Sequence, residues 1–272
     1  MSFSKEQLAA CLKRIGYEKE VTLTRECLDD LIFSCQCHVP YDNLDVFDYG
    51  REVRLDGESL YNKIVVNGRG GYCFELNGFF FRILKGLGFD VQPCFCRIMF
   101  GPVTGPQDNF IDHRASIVTL DGQRYFCDVG TGAPMPLAAM PIVEDVWVNT
   151  RGQQFMIRKG DQKNWYELYR KMSEQEDGSY EEHLDLYFLD APVQEIDFMT
   201  PNFFMYMKED SLPHVRRMVS RKTPTGFVDI TNDVFTEVVN GVKTERKLAY
   251  EEILPIIQNV IGIHTTEPLR KL

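Results

Sequence analysis

Tryptophan occurs only twice and histidine only five times in 272 residues, and nowhere do eighteen apolar residues run uninterrupted. The last absence argues against a membrane-spanning helix, which needs about 20 apolar residues to cross the hydrocarbon core. Positive charge is short as well: 30 Lys and Arg face 40 Asp and Glu, for a net charge of −10. Such a chain repels nucleic-acid backbones and anionic lipid, so neither nucleic acid nor a membrane is expected as a partner. No repeat and no low-complexity tract interrupts the pattern, and no G-x-x-x-x-G-K-[ST] loop offers itself to a nucleotide. The first twenty residues carry charge throughout and hold no apolar run suited to a secretory signal, which points to the cytoplasm.

Cysteine, by contrast, is plentiful at eight residues. Cys35/Cys37 and Cys94/Cys96 form C-x-C pairs between apolar neighbours, a pattern that suits reduced thiols in a core. Their separation matches no common zinc finger or ribbon, and His38, His183, His214 and His264 show no ligand spacing, so no metal is expected. Apolar residues at 44% and charged residues at 26% describe a packed, enzyme-sized body.

Periodicity divides the chain into three zones. Residues 1–88 read as a helical domain: Leu8, Cys11, Leu12 and Ile15 recur at helical spacing, as do Leu28, Leu31 and Ile32 behind Thr24 as N-cap. The clearest helix runs from Cys73 to Leu87 and stops at Gly88; the KIVV run before it reads as strand-like. Residues 89–195 change to short runs of Val, Ile, Phe and Tyr between Asp-Gly and Lys-Gly turns, the pattern of a β-barrel or sandwich. Residues 196–272 read as a small α+β lid, with strands VRRMVSRKT, GFVDI, VFTEVV and VKTERKL, and a final helix near Glu251–Val260. Within the lid, Arg216–Lys222 sets four cations in seven residues, either a solvated strand face or a place for an anionic ligand.

The Gly-rich segment Asn67–Asn77 leads into the Cys73 helix. A thiolate in the first turn meets unsatisfied N–H groups and the positive end of the macrodipole, both of which favour the anion. A thiol nucleophile needs a base, and the base needs a group that fixes its tautomer. His113 opens HRASIVTL, which turns at Asp121-Gly122 into QRYFCDVG. With Leu120 opposite Gln123, Ala115 falls opposite Asp128, and His113 projects from the same face as a diagonal neighbour. Cys73, His113 and Asp128 are therefore the candidate nucleophile, base and orienting acid. Backbone N–H groups at the helix start are candidates for an oxyanion hole. Glu75 and Asn77 read as structural, as does Arg69 beside a buried carboxylate.

RGGYCFELN resembles the arylamine N-acetyltransferase signature R-G-G-x-C-x-E-x-N. His113 and the DVG at Asp128 stand in that family's order and approximate spacing, and VPYDNLDV at Val39–Val46 is similar to its V-P-F-E-N-L-D block. The resemblance implies an α+β, cysteine-proteinase-like fold made of an N-terminal helical bundle, a central β-barrel and a C-terminal α/β lid. It implies ping-pong transfer of an acetyl group from acetyl-CoA, as co-substrate rather than bound cofactor, through Cys73 to aromatic amines, hydrazines or N-hydroxyarylamines, as in detoxification. It also implies substrate-pocket positions at Tyr41, Ile98, Thr131 and Phe203 or Phe204, and CoA contacts in the lid, where Arg216, Arg217, Ser220, Arg221 and Lys222 are the candidates. DVGTG stands where the family has DVGFG, so Thr131 removes a stacking ring and widens the pocket. A thiol hydrolase or transglutaminase-like enzyme would use the same residue order; the cysteine signature decides against it. The intact trio also weighs against a silent binder of acyl-CoA.

Overall fold

The computed structural model describes residues 3–99, 109–132, 134–174 and 180–272. Its first zone is helical. Ser4 caps α1 (Lys5–Arg14) in a reciprocal box with Gln7, and Thr24 caps α2 (Arg25–His38) by accepting from the Cys27 N–H. A two-residue strand, β1 (Tyr41–Asp42), precedes the short α3 (Leu44–Phe47) and α4 (Gly57–Tyr61). The KIVV run is not a strand. Asp56 caps α4, whose coil continues as a π-helical turn over Asn62–Val66. Ile64, fully buried there, packs with the helical core, and that contact overrides the β preference of its neighbours.

The helix α5 (Cys73–Leu87) ends at Gly88, whose φ of +97° is the left-handed stop its residue type allows. Phe79, Phe80, Ile83 and Leu84 on it are fully buried, each worth about 1.5–3 kcal/mol of transfer free energy. They pack with α1 and α2 and with Val118 and Cys127 of the following sheet and Val129 just beyond it. The helix that starts at Cys73 thus packs against both the helical zone and the sheet.

That sheet is antiparallel and eight-stranded, in the order β5-β4-β3-β2-β9-β8-β7-β6. Its strands are β2 (Asp90–Ile98), β3 (His113–Leu120), β4 (Gln123–Cys127), β5 (Met140–Pro141), β6 (Val148–Thr150), β7 (Gln153–Lys159), β8 (Trp165–Glu174) and β9 (Tyr180–Leu189). The two edge strands β5 and β6 follow one another in the chain, so the sheet curls until its edges nearly meet, and a bridge from Glu144 to Ile157 helps close it. Phe126, Phe155, Leu168, Leu186 and Phe188 fill the interior. At the β3–β4 turn Asp121 and Gly122 have φ of +49° and +80°, as a two-residue hairpin requires. Leu120 pairs with Gln123 and Ser116 with Cys127, the register expected from the sequence.

A 3₁₀ turn (Glu195–Phe198), α6 (Met199–Met207) and α7 (Leu212–Val215) lead to a five-stranded sheet ordered β1-β10-β11-β12-β13. Its later strands are β10 (Met218–Thr223), β11 (Gly226–Thr231), β12 (Val234–Val239) and β13 (Val242–Lys247), backed by α8 (Tyr250–Ile256) and a π-helical turn to Ile261. β10 begins at Met218 rather than Val215 because Pro213 belongs to the short helix before it. β1 supplies the edge of this last sheet, with Tyr41 opposite Ser220, while also bridging to Gly71. The helical and C-terminal zones are thereby joined beside the cysteine.

Candidate active site

Cys73 is the first residue of α5 and only 6% exposed. The loop before it is held rigidly: Arg69 pairs with Asp42 at 3.0 Å and Asp45 at 3.2 Å, and Lys63 pairs with Asp45 and Glu75. A Cβ on Gly70 would lie 2.1 Å from the Pro40 carbonyl oxygen, so only glycine fits. Glu75 completes the loop by accepting from the Tyr72 N–H. Arg69 and Glu75 thus sit in ion pairs that brace this loop.

His113 Nε2 lies 2.6 Å from Asp128 Oδ2, and neither side chain has exposed surface. Burial alone would depress the imidazole, but the Asp128 charge and hydrogen bond outweigh it and hold His113 well above its ordinary value. Asp128 feels the same burial, yet His113, Asn77 and the Gly130 N–H keep it below the usual carboxylate range. The other imidazole nitrogen, Nδ1, makes no conventional hydrogen bond. His113 and the Cys73 thiol each shift the other's protonation, which brings hairpin and helix together at one site.

Burial pushes the Cys73 thiol up, His113 pulls it down, and Asp112 and Asp128 push it up again, for a net rise. Burial is the largest of these influences on the thiol. The thiol lies 3.6 Å from the Asp112 carbonyl oxygen, which accepts from it. His113 stands above its ordinary value too, which keeps proton transfer from sulfur to imidazole within reach.

Asn77, which belongs to the signature, and Gln36, which the sequence did not single out, both contact the Asp128 residue. Asn77 donates to Asp128 Oδ1 at 2.9 Å and accepts from the Val129 N–H at 3.0 Å. It sits one helical turn beyond Cys73, and that i, i+4 spacing was the available signal. Gln36 donates to the Asp128 and Pro136 carbonyls, a contact no local pattern announces. Gly130 donates to Asp128 Oδ1 at 2.7 Å, and a Cβ there would strike Asn77 Nδ2 and crowd Cys73.

The expected pocket residues separate into three places. Tyr41 and Thr131 line a narrow crevice of only about 10 Å³, together with Ser220, Arg221 and Lys222. Tyr41 also feels the Cys73 charge, while burial raises its own hydroxyl well above the ordinary value. Ile98 ends β2 and packs on the barrel interior. Phe203 and Phe204 lie on α6, 56% and 37% exposed, with Phe204 edge-on to Phe110 at 4.7 Å.

Beyond Arg216 the cation run is not a solvated face, because Arg217, Val219, Ser220 and Lys222 are all buried. Arg217 is fully buried: its guanidinium takes Asp48 and donates to the Asn232 and Arg270 carbonyls, which removes it from the phosphate candidates. Arg221 donates to the Cys37 and Val260 carbonyls. Lys222 lies over the Phe227 ring, and burial lowers it to about 8. Arg216 remains exposed. All eight cysteines are unpaired, and no cluster suited to a metal occurs among the described residues. No helix among them is long and apolar enough to cross a membrane.

A sequence model described as N-acetyltransferase matches residues 24–270. The chain is 28% identical over 246 residues to arylamine N-acetyltransferase of Escherichia coli strain K12, covering 86% of this chain and 80% of that protein. It is 25% identical to arylamine N-acetyltransferase 1 of Homo sapiens, covering 94% and 93%. The solved structure of arylamine N-acetyltransferase from Salmonella typhimurium superposes with a TM-score of 0.88 at 23% identity, over 97% of this chain and 94% of that one, which establishes the shared fold.

Proposed function

The chain belongs to the arylamine N-acetyltransferase family, and from that premise we propose that Cys73 carries an acetyl group from acetyl-CoA to an aromatic amine, hydrazine or N-hydroxyarylamine. The observation that carries this reading is the meeting of Cys73, at the start of α5, with a His113 imidazole locked to Asp128 at 2.6 Å. In the first half-reaction the thiol proton passes to His113 as sulfur attacks the thioester carbonyl, and CoA leaves with a proton from the imidazolium. In the second, the amine attacks the Cys73 thioester, loses a proton to His113, and the sulfur departs. N–H groups of the first turn of α5 are the proposed donors to the oxyanion.

Residues 1–88 then supply the nucleophile, 89–195 the base and its carboxylate, and 196–272 the lid. The side lined by Tyr41 and Thr131 is the proposed acceptor side, where threonine leaves more room than an aromatic ring would. The exposed Arg216 is the proposed contact for a CoA phosphate, while Ser220, Arg221 and Lys222 line the crevice beside Tyr41. Eight unpaired thiols fit a reducing compartment, so the cytoplasm is the proposed location.

Intact-protein mass spectrometry after mixing with acetyl-CoA alone tests the scheme. One acetyl adduct should form on the wild type, none on Cys73→Ala, and an added arylamine should discharge it. A folded wild type that alkylates at Cys73 but takes no acetyl group would replace this reading with thiol hydrolysis.

A further inference from the structure

Tyr72 stands next to the nucleophile, and the scheme above makes no use of its hydroxyl. The side chain is buried in a cluster that gathers Val46 of α3 and Val53 beyond it, Cys73 and Phe74 at the start of α5, and Phe198 and Met205 of the third zone. The Tyr72 and Phe74 rings lie 5.6 Å apart, and Phe74 in turn meets Phe198 at 6.2 Å. This apolar cluster holds a buried polar pair. The Tyr72 hydroxyl donates to Asn202 Oδ1, and Asn202 Nδ2 donates to the Val53 carbonyl at 2.8 Å. Asn202 and Met205 are the buried residues of α6, so the bond reaches that helix on its inward side.

Such a pair adds little to stability, because apolar groups of the same shape in place of both partners serve nearly as well. What it adds is direction. Packing among Phe, Val and Met side chains tolerates a small slide or turn of α6, whereas a hydroxyl and an amide meet only over a narrow range of distance and angle. The turn of α6 matters because exposed rings stand on its other side. Phe203 lies against Tyr206 at 5.5 Å and Phe204 against Phe110 at 4.7 Å. Phe110 is two residues before Asp112, whose carbonyl accepts from the Cys73 thiol. A short path thus runs from the sulfur through Asp112 and Phe110 to the Phe204 ring.

We infer that Asn202 is a positioning residue: through the Tyr72 hydroxyl it sets the rotation of α6, and with it the placing of Phe203 and Phe204, when an aromatic amine attacks the acetyl-enzyme. The inference rests on Cys73 being the acylated thiol, and it deepens that reading by separating acceptors by shape. An arylamine brings a ring that lies against the rings of α6 while its nitrogen lines up with the thioester. Hydrazine has no ring and needs only the thioester and His113. The bond therefore governs discharge by arylamines and leaves discharge by hydrazine alone.

The test uses the full-length chain, acetylated with acetyl-CoA, freed of CoA, and discharged by aniline or by hydrazine in single-turnover runs. The readout is the ratio of the two rates. Tyr72→Phe keeps the ring and removes the hydroxyl, and should lower the aniline-to-hydrazine ratio about 3–10-fold, the range of one hydrogen bond. Tyr72→Phe combined with Asn202→Leu makes both partners apolar. Its urea midpoint should recover toward that of the wild type while the ratio stays low, a separation that a merely structural pair would not give. Ile64→Val, in the separate helical core, should lower the urea midpoint and leave the ratio at its wild-type value. An unchanged ratio in Tyr72→Phe, a ratio that recovers together with stability in the double variant, or an equal fall in Ile64→Val overturns the inference. If the double variant does not fold, Tyr72→Phe set against Ile64→Val decides. A wild type that takes no acetyl group from acetyl-CoA sinks the parent reading instead, and the two failures are distinct.

Discussion

His113 and Arg217 are both fully buried and each is held by an aspartate that is fully buried too. What separates them is the hydrogen-bonding capacity left over. Arg217 spends its guanidinium on Asp48 and on the carbonyls of Asn232 and Arg270, and Asp48 also accepts from the Arg270 N–H. That pair closes on itself and fastens α3, β10 and the C-terminal segment together. His113 gives Nε2 to Asp128, leaves Nδ1 without a hydrogen bond, and is felt by the Cys73 thiol. A buried ion pair is a fastening when all its valences are used, and a reactive device when one is left facing a nucleophile.

The comparison breaks first at His113. Replacement by Gln should keep the fold and lower kcat about 10³–10⁴-fold, because the imidazole serves as base in both halves of the reaction. Single-turnover acetylation of Cys73 in His113→Gln measures this, and a loss below tenfold would make the pair a fastening after all. Arg217→Ala should act on the other axis. It strands the Asp48 carboxylate and should cost about 3–5 kcal/mol of stability, read as a lower urea midpoint, while kcat per folded molecule stays near wild type. A large catalytic loss in protein that remains folded would put Arg217 back in the site. The smallest effect belongs to Asn77→Ala, which removes one donor to Asp128 and leaves His113 in place. A loss of about 10–100-fold in kcat is expected, as for other groups that orient a reacting residue. An unchanged rate would show that the Gly130 N–H suffices to hold the acid.

These outcomes bear on what could be read from the chain before it was seen folded. The register that carries His113 to Asp128 was legible because a two-residue Asp-Gly turn leaves one pairing, and side chains then alternate with a fixed period. The Cys73 helix was legible from its apolar spacing and its glycine stop. The KIVV run misled because β-branched composition is a weak preference, overturned once Asp56 caps a helix and Ile64 finds a core. The cation run of β10 misled for a different reason. Whether an arginine meets solvent or an aspartate 169 residues away is not encoded near it. The same holds for Gln36, whose partner Asp128 lies 92 residues on.

The sequence alone determined the local order of this protein: the helix that presents Cys73, the hairpin that pairs His113 with Asp128, and the signature shared with its family. Those features rest on interactions within a few residues or across one tight turn, where covalent geometry permits few alternatives. The tertiary structure decided the rest. It chose which charges are desolvated, buried the thiol of Cys73, buried Arg217 against Asp48, and set the Asp112 carbonyl against the sulfur. Desolvation and long-range pairing depend on what the whole chain stacks around a group, and that sum exists only after folding.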